Sequence, residues 1–434
     1  MLVLETVFRK LESPRMTPEW LYTSNLGDVS LETHDIIGID VSMGRSSCAI
    51  YHANQCIFDF TFTHTISGFK TLISRISLTV NPVVYFESTG IYSRPVRTFC
   101  ERNQLDYVEV NPLTLHFQMS TLRRLKTDRN DAHKIAQYGI QYPQVLSQPF
   151  TPEYGKLREL TRFYSQIEND IKDKQMSLHN ALQQTFPELK HLFASRVSTL
   201  ALNVIELFPH PELVNCLSQT KLKNILMKST DKRISKVKAL QRAQELLHFA
   251  SVSYPAASAD SVQVDEVRYY ARILINLKLK KKHLIKQLVE LAKPLPEFRI
   301  MTSFPGIGDQ TAAELIGELG DIRRFSNNRK LNAYIGIDLN RYQSGTYTRQ
   351  DHINKRGNAH ARSILFFAIR NMVRQQAAAP NHIVDYYYRL KKGPHPKRDK
   401  VTVVACMNKT VKCLLTMVKA NQSYDYSYHG LKVQ

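Results

Sequence analysis

The stretch DIIGIDVSMGRSSCAIYHANQCIFDFTFT, residues 35–63, decides how the first third of the chain folds. DIIGIDVS (35–42) is a short apolar run and reads as a buried strand. SSCAIYH (46–52) and QCIFDFTFT (55–63) follow, joined by a turn at Ala53 and Asn54, and the three runs together suit an antiparallel meander. Working outward, FKTLISRISL (69–78) has helical spacing and NPVVYFES (81–88) reads as a strand after a proline. YSRPVRTFCERN (92–103) reads as a helix, LDYVEVNP (105–112) as another strand, and a helical region reaches about residue 141.

That order, βββαβαβα, predicts a ribonuclease-H-like domain over 35–150: a mixed sheet with three antiparallel strands first and helices on its faces. From about 151 the pattern changes to long helices. Leu157, Leu160, Tyr164, Ile167 and Ile171 are spaced as an a/d seam, and a second seam runs through Val267, Tyr270, Leu274, Leu277, Leu284, Leu288 and Leu291 before Pro294 stops it. The two should pair as an antiparallel arm over 151–294 or dimerise with another chain. Between them, the lysines around 221–238 suit a solvated helix face and a nucleic-acid contact equally. Residues 295–434 read as helical with loops, and residues 1–34, which hold the one tryptophan, Trp20, carry no motif. The fold class is therefore α/β plus α.

The charge balance narrows the function. Among 434 residues, 59 Lys and Arg stand against 38 acids, a formal net charge of +21. Such a surplus repels itself unless a polyanion shares the surface, so nucleic acid is the expected partner. An anionic membrane fits less well, for want of a basic amphipathic helix with exposed aromatics or a lipidation signal. No apolar run is expected to reach the roughly 18–20 residues that span a bilayer, and MLVLETVFRKLESPR does not read as a secretory signal. Six cysteines without a CxxC pair read as reduced thiols of a cytoplasmic protein, with no zinc site.

Within RRLKTDRNDAHKIAQYG (123–139), Asp128 and Asp131 sit on one helix face among Arg123, Arg124, Lys126, Arg129 and Lys134. The bland reading is intrahelical salt bridging; the sharper one is a metal site inside a nucleic-acid surface. Asp40 lies inside an apolar strand, where a carboxylate is costly unless paired or cation-bound. Glu87 ends VVYFES just before a Ser-Thr-Gly turn, and strand ends of open α/β sheets open into the functional crevice. Four carboxylates so arranged suit Mg²⁺ or Mn²⁺, and two such ions can stabilise both oxygens of a phosphodiester exchange. In FPGIGDQTAAELIGELG (304–320), Gly306 and Gly308 read as a helix-hairpin-helix-like turn whose backbone can approach a phosphate. Ser344 lies in a polar loop near Lys355 and Arg356, and KKGPHPKRDK (391–400) adds Lys391, Lys392, Lys397 and Arg398 to the expected nucleic-acid surface. A serine attacking phosphorus needs activation and charge neutralisation, which sequence does not establish.

GIDVS, FESTGIY, VNP and LKTDRNDAHKIA, followed by FPGIG, YIGI, QSGT and INKRGN, resemble the DEDD insertion-sequence transposases of the one-ten family, which includes pilin-gene invertases. The resemblance covers about 35–141 and 295–420. It implies a RuvC-like domain whose metal-binding tetrad is Asp40, Glu87, Asp128 and Asp131, and a C-terminal transposase domain. It implies that Ser344 is the nucleophile, linking transiently to DNA in a composite site with the tetrad. It further implies a non-coding bridge RNA that pairs with donor and target DNA, leaving the protein to hold backbone and shape. The expected assembly is a homo-oligomer through the arm, acting on the nucleoid of a prokaryotic cytoplasm. A metal-dependent structure-specific nuclease on the same sheet would need the tetrad but not Ser344. An actin-like ATPase would need Asp-Gly-Gly phosphate loops, which the sequence lacks, and a non-catalytic scaffold would tolerate loss of Asp40 or Asp128.

Overall fold

The computed structural model describes residues 34–119, 128–147, 151–195, 197–230, 234–345, 347–349 and 351–427. The chain divides into two compact units, residues 1–149 and 150–434.

The first unit is built on a five-stranded mixed sheet in the order β3-β2-β1-β4-β5. Strands β1 (Ile36–Val41), β2 (Arg45–His52) and β3 (Gln55–Thr63) are antiparallel neighbours, while β4 (Val83–Glu87) and β5 (Asp106–Val110) run parallel to β1. Ala53 and Asn54, both at positive φ, make the turn between β2 and β3, the backbone that a two-residue hairpin requires. Helix α1 (Ile66–Ile76) starts earlier than its apolar spacing indicates, because the Thr65 hydroxyl caps it by accepting from Gly68 N–H. Helices α2 (Arg94–Arg102), α3 (Pro112–Met119) and α4 (Asp128–Gln141) complete the unit.

Strand alternation sorts the apolar residues onto two faces. Ile37, Ile39, Val84 and Phe86 pack with Leu72 of α1 and Val96 and Phe99 of α2. Ile36, Val83, Tyr85 and Val108 pack on the other face with Ala132, Ile135 and Ala136 of α4. The sequence-derived element order is the one observed.

The second unit is helical. Its frame is α5 (Pro152–Thr185), followed by α6 (Leu189–Leu192), α7 (Thr199–Leu207), α8 (Glu212–Asn215), α9 (Gln219–Lys228), α10 (Lys236–Val252) and the long α11 (Val262–Ala292). Helices α5 and α11 are antiparallel partners in the same chain. Lys281 meets Glu168 and stacks over Tyr164, whereas Lys174, further along α5, stacks over Tyr270, earlier on α11. Seam residues Leu157, Ile167, Leu274 and Leu288 are buried in the shared core, each worth about 1.5–3 kcal/mol of transfer free energy. Of the two arrangements open to the seams, the intrachain pair is the one observed.

The segment expected to start a separate domain at 295 joins the same core. Here α12 (Pro296–Thr302), α13 (Asp309–Leu319) and α14 (Asn328–Ile335) precede four short strands, β6 (Leu339–Asn340), β7 (Gln343–Ser344), β8 (Tyr347–Thr348) and β9 (His352–Ile353). Helices α15 (Ala359–Arg374), α16 (His382–Lys392) and α17 (Asp399–Ala420) follow. Gly317 of α13 sits where a side chain would press on Leu157 and Thr161 of α5, so arm and C-terminal part share one interior. Contrary to the sequence expectation, α17 is long and apolar enough to cross a membrane by length and composition. In the fold it is a core helix, with Val403, Cys406, Met407, Val411 and Leu414 buried.

Candidate functional site

Asp40 is the fifth residue of β1 and Glu87 the last of β4. The parallel register pairs Ile39 with Phe86, so Asp40 and Glu87 stand side by side one step further on, on the face that carries α4. Both are partly buried.

How α4 crosses that face is fixed by two glycines. A side chain on Gly139 would strike Ile36 and Tyr85; one on Gly38 would strike the Ala132 carbonyl and the Ala136 amide. Two residues up the strand, roughly 6.6 Å, therefore correspond to four to five residues back along the helix at about 1.5 Å each. One more such step brings the first turn of α4 to the level of Asp40. Asp128 opens that turn and Asp131 lies one turn in.

The side chains near this turn do more than sequence indicates. Asp131 Oδ1 accepts from Lys134 Nζ at 2.6 Å, so intrahelical salt bridging is present. Arg129 reaches across to the sheet: its Nε lies 2.5 Å from Asp59 Oδ2, on β3. His133 Nε2 is 2.9 Å from the same oxygen, and Tyr51 Oη is 2.9 Å from His133 Nδ1. Burial alone would raise the Asp59 carboxyl, but hydrogen bonds from His133 and Arg129 outweigh it and hold it below the usual carboxylate range. Asp59 is thus the anchor that fastens α4 to the edge of the sheet, a role hidden in the alternation of QCIFDFTFT.

A divalent cation at this end of the sheet would find the right donor chemistry, since Asp40 and Glu87 offer adjacent hard oxygens. Among the described residues no three His, Cys, Asp or Glu side chains gather closely enough to hold a metal ion. Asp131 would have to leave Lys134 to become a third ligand. Arg123, Arg124 and Lys126 lie outside the described residues.

In the second unit, Ser344 sits on β7, paired with Tyr347 of β8 across a turn in which Gly345 has φ +57°. The serine is exposed. Arg341 clamps the base of this small hairpin through a two-pronged contact with Asp351, 2.8 and 3.2 Å. Behind it, the INKRGN segment is architectural. Asn354 donates to Asp338, Lys355 takes a left-handed backbone at φ +61°, and Gly357 packs so close to Gly336 that no side chain would fit. Asn358 caps α15 by accepting from Ala361 N–H and donates to the buried Glu318 carboxylate at 2.8 Å. The side chains of Lys355 and Arg356 are exposed, as are those of Lys392, Lys397 and Arg398, with Lys391 half-buried.

The two glycines of FPGIG are not equivalent. Gly306, at φ +92°, faces Met372 of α15, where a side chain would come within 2.5 Å, so it serves packing. Gly308 is the N-cap of α13 and has open space before it. Only Gly308 therefore leaves room for an approaching phosphate, and Asp309 already occupies the first turn of that helix.

A sheet presenting paired acids on one unit, with an exposed serine hairpin and cations on the other, has the parts of a strand-processing nucleic-acid enzyme. A DEDD transposase model of IS110 type matches residues 37–187, and a model described as the transposase IS116/IS110/IS902 family matches residues 298–383. Together they cover more than half of the chain, and the protein is a DNA transposase or recombinase. It belongs to the IS110 family. Among its relatives, the pilin gene-inverting protein of Moraxella bovis is 23% identical over 403 residues, 91% of this chain and 98% of that one. The transposase for insertion sequence element IS1111A of Coxiella burnetii is 33% identical over 89 residues, 20% of this chain and 24% of that protein. An IS110 insertion-element protein of Streptomyces coelicolor is 22% identical over 246 residues, 56% of this chain and 60% of that protein.

Proposed function

We propose that this transposase cuts and rejoins DNA strands with a carboxylate set on a ribonuclease-H-like, RuvC-type first unit and with Ser344 as nucleophile. The observation that carries the first half is the side-by-side placement of Asp40 and Glu87 at the end of β1 and β4, beneath the first turn of α4. Asp40, Glu87, Asp128 and Asp131 would hold Mg²⁺ or Mn²⁺. Bound there, the cation would neutralise charge building on a scissile phosphate.

The chain's own residues do the rest. Asp59, with Arg129 and His133, fixes the pitch of α4 and so sets the position of Asp131. Lys134 orients the Asp131 carboxylate through their 2.6 Å contact until a better cation competes for it. The Ser344 oxygen attacks phosphorus, a serine–phosphate ester forms, the bond to the departing strand oxygen breaks, and the serine proton passes to solvent or to that oxygen. Attack by a strand end on the ester returns the serine and joins the strands. The basic residues Arg123, Arg124, Lys126, Arg129, Lys355, Arg356, Lys391, Lys392, Lys397 and Arg398 would carry the sugar–phosphate backbone. A bridge RNA would choose the sites, and the apolar residues left on the outside of the arm, Phe163, Met176 and Leu279, would pair protomers.

The test is Ser344→Ala on DNA containing the element ends, with RNA that co-purifies with the protein recovered and sequenced. The expected outcome is no covalent protein–DNA adduct and no strand exchange, with an RNA that maps beside the gene. Full exchange by Ser344→Ala would remove the serine and leave a metal-dependent structure-specific nuclease as the reading.

A further inference from the structure

On the second unit a cleft of about 1170 Å³ opens between the β6/β9 ladder and helices α15, α16 and α17. It is larger than the roughly 300–1,000 Å³ of an ordinary small-molecule site, which suits an oligomer better than a single metabolite. Six cations line it: Arg362, Arg389, Lys397, Lys400, Lys409 and Lys412. The single acid in the lining, Asp351, is already held by Arg341. Between the cations stand apolar side chains in water. Phe367 is 67% exposed, Leu339 63% and Val401 49%. Arg389 and Lys409 sit 5.1 and 4.8 Å from the centre of the Tyr386 ring, so that ring is already organised by positive charge.

A bare phenyl ring within a ring of cations fits a ligand that is flat and apolar on its face and anionic at its edge. A nucleobase with its flanking phosphodiesters has that form, and base–aromatic stacking together with backbone cations is how single strands are held. A duplex keeps its base faces inside its own stack, so Phe367 can meet one only where a strand is unpaired. Besides the cations and Asp351, the lining offers a 2′-hydroxyl only the side chains of His352, Ser363, Tyr386 and Asn408, so stacking and phosphate charge, which DNA supplies in full, carry the recognition. Recombination by a DNA transposase necessarily exposes such strands.

We propose that this cleft seats an unpaired DNA segment, one base stacked on Phe367 and the neighbouring phosphates held by Lys400, Lys409 and Lys412. The assignment is independent of the carboxylate and serine roles above.

Fluorescence anisotropy of the full chain with labelled oligo-dT, oligo-U of equal length and a blunt DNA duplex, each across a salt series, tests it. Phe367→Ala is expected to weaken oligo-dT binding by about tenfold. Duplex affinity stays as in the wild type, and Phe367→Tyr retains strand binding. The double variant Lys409→Ala, Lys412→Ala should flatten the single-strand salt slope by roughly 1.4, about 0.7 per lost phosphate contact. Because Phe367 is mostly exposed, its replacement leaves the core intact. Unchanged oligo-dT binding by Phe367→Ala, an equal loss on duplex, or a loss confined to oligo-U would each overturn the proposal.

Discussion

Gly38 has no side chain because α4 occupies the space that one would need. A Cβ there would lie 2.3 Å from the Ala132 carbonyl oxygen and 2.4 Å from the Ala136 nitrogen, both backbone atoms that cannot swing aside. Gly38→Ala must therefore lift α4 from β1, and it is expected to cost about 3 kcal/mol, at the upper end for overpacking. Urea unfolding would read this as a lower midpoint at unchanged slope. Because α4 carries Asp128 and Asp131, the same substitution should depress strand exchange even where the fold survives. The strand positions of Asp40 and Glu87 were legible in the sequence, since a carboxylate within a buried strand and one at a strand end are conspicuous against apolar neighbours. Asp59 was not. Its strand alternates polar and aromatic residues, and the partner that gives it meaning, His133, is seventy-four residues away.

At the scale of elements, the helical unit carries a buried acid that sequence did not single out. Glu314 of α13 is 8% exposed, accepts from Gln310 at 2.6 Å, and feels Glu168 of α5 and Lys281 of α11. Burial pushes its carboxyl from an ordinary 4.5 up to about 7. The folded chain therefore holds a proton here that the unfolded chain gives up. Its stabilising effect is complete below about pH 4.5 and is lost as pH rises to about 7, a change on the order of 3 kcal/mol. Glu314→Gln should remove that slope and unfold at a higher denaturant midpoint than the wild type at pH 8, measured by urea titration across pH. The two seams were legible because Leu157, Tyr164 and Ile171 on α5, and Val267, Leu274 and Leu288 on α11, fall on heptad positions, and all six are buried. The short helices between them were not, although their serine caps were in view. Ser198 and Ser218 accept from Ala201 and Lys221 N–H groups, but helices this short carry too few turns for periodicity to register. Past Pro294, where α11 has ended, the buried core continues into α12 and α13.

At the scale of the molecule, the two units have separate interiors. Among the described residues, the cores around the sheet draw on residues up to Tyr142 and the helical core on residues from Tyr154 onward. The surplus of +21 lies in the second unit, where 45 Lys and Arg stand against 24 Asp and Glu while the first unit holds 14 of each, so the helical unit carries the charge suited to nucleic acid. The chain belongs to the IS110 family, and under the proposed account strands would be held by the cations and cut where the acids are. The central claim is that Asp40 and Glu87 are the fixed half of the cutting site. Strand exchange on DNA carrying the element ends, in Mg²⁺, compared between the wild type and Asp40→Asn of matched urea stability, tests it most directly. The account predicts a fall in exchange rate on the order of 10³-fold for Asp40→Asn, the scale expected when transition-state charge stabilisation is lost. Exchange by Asp40→Asn at the wild-type rate would contradict it.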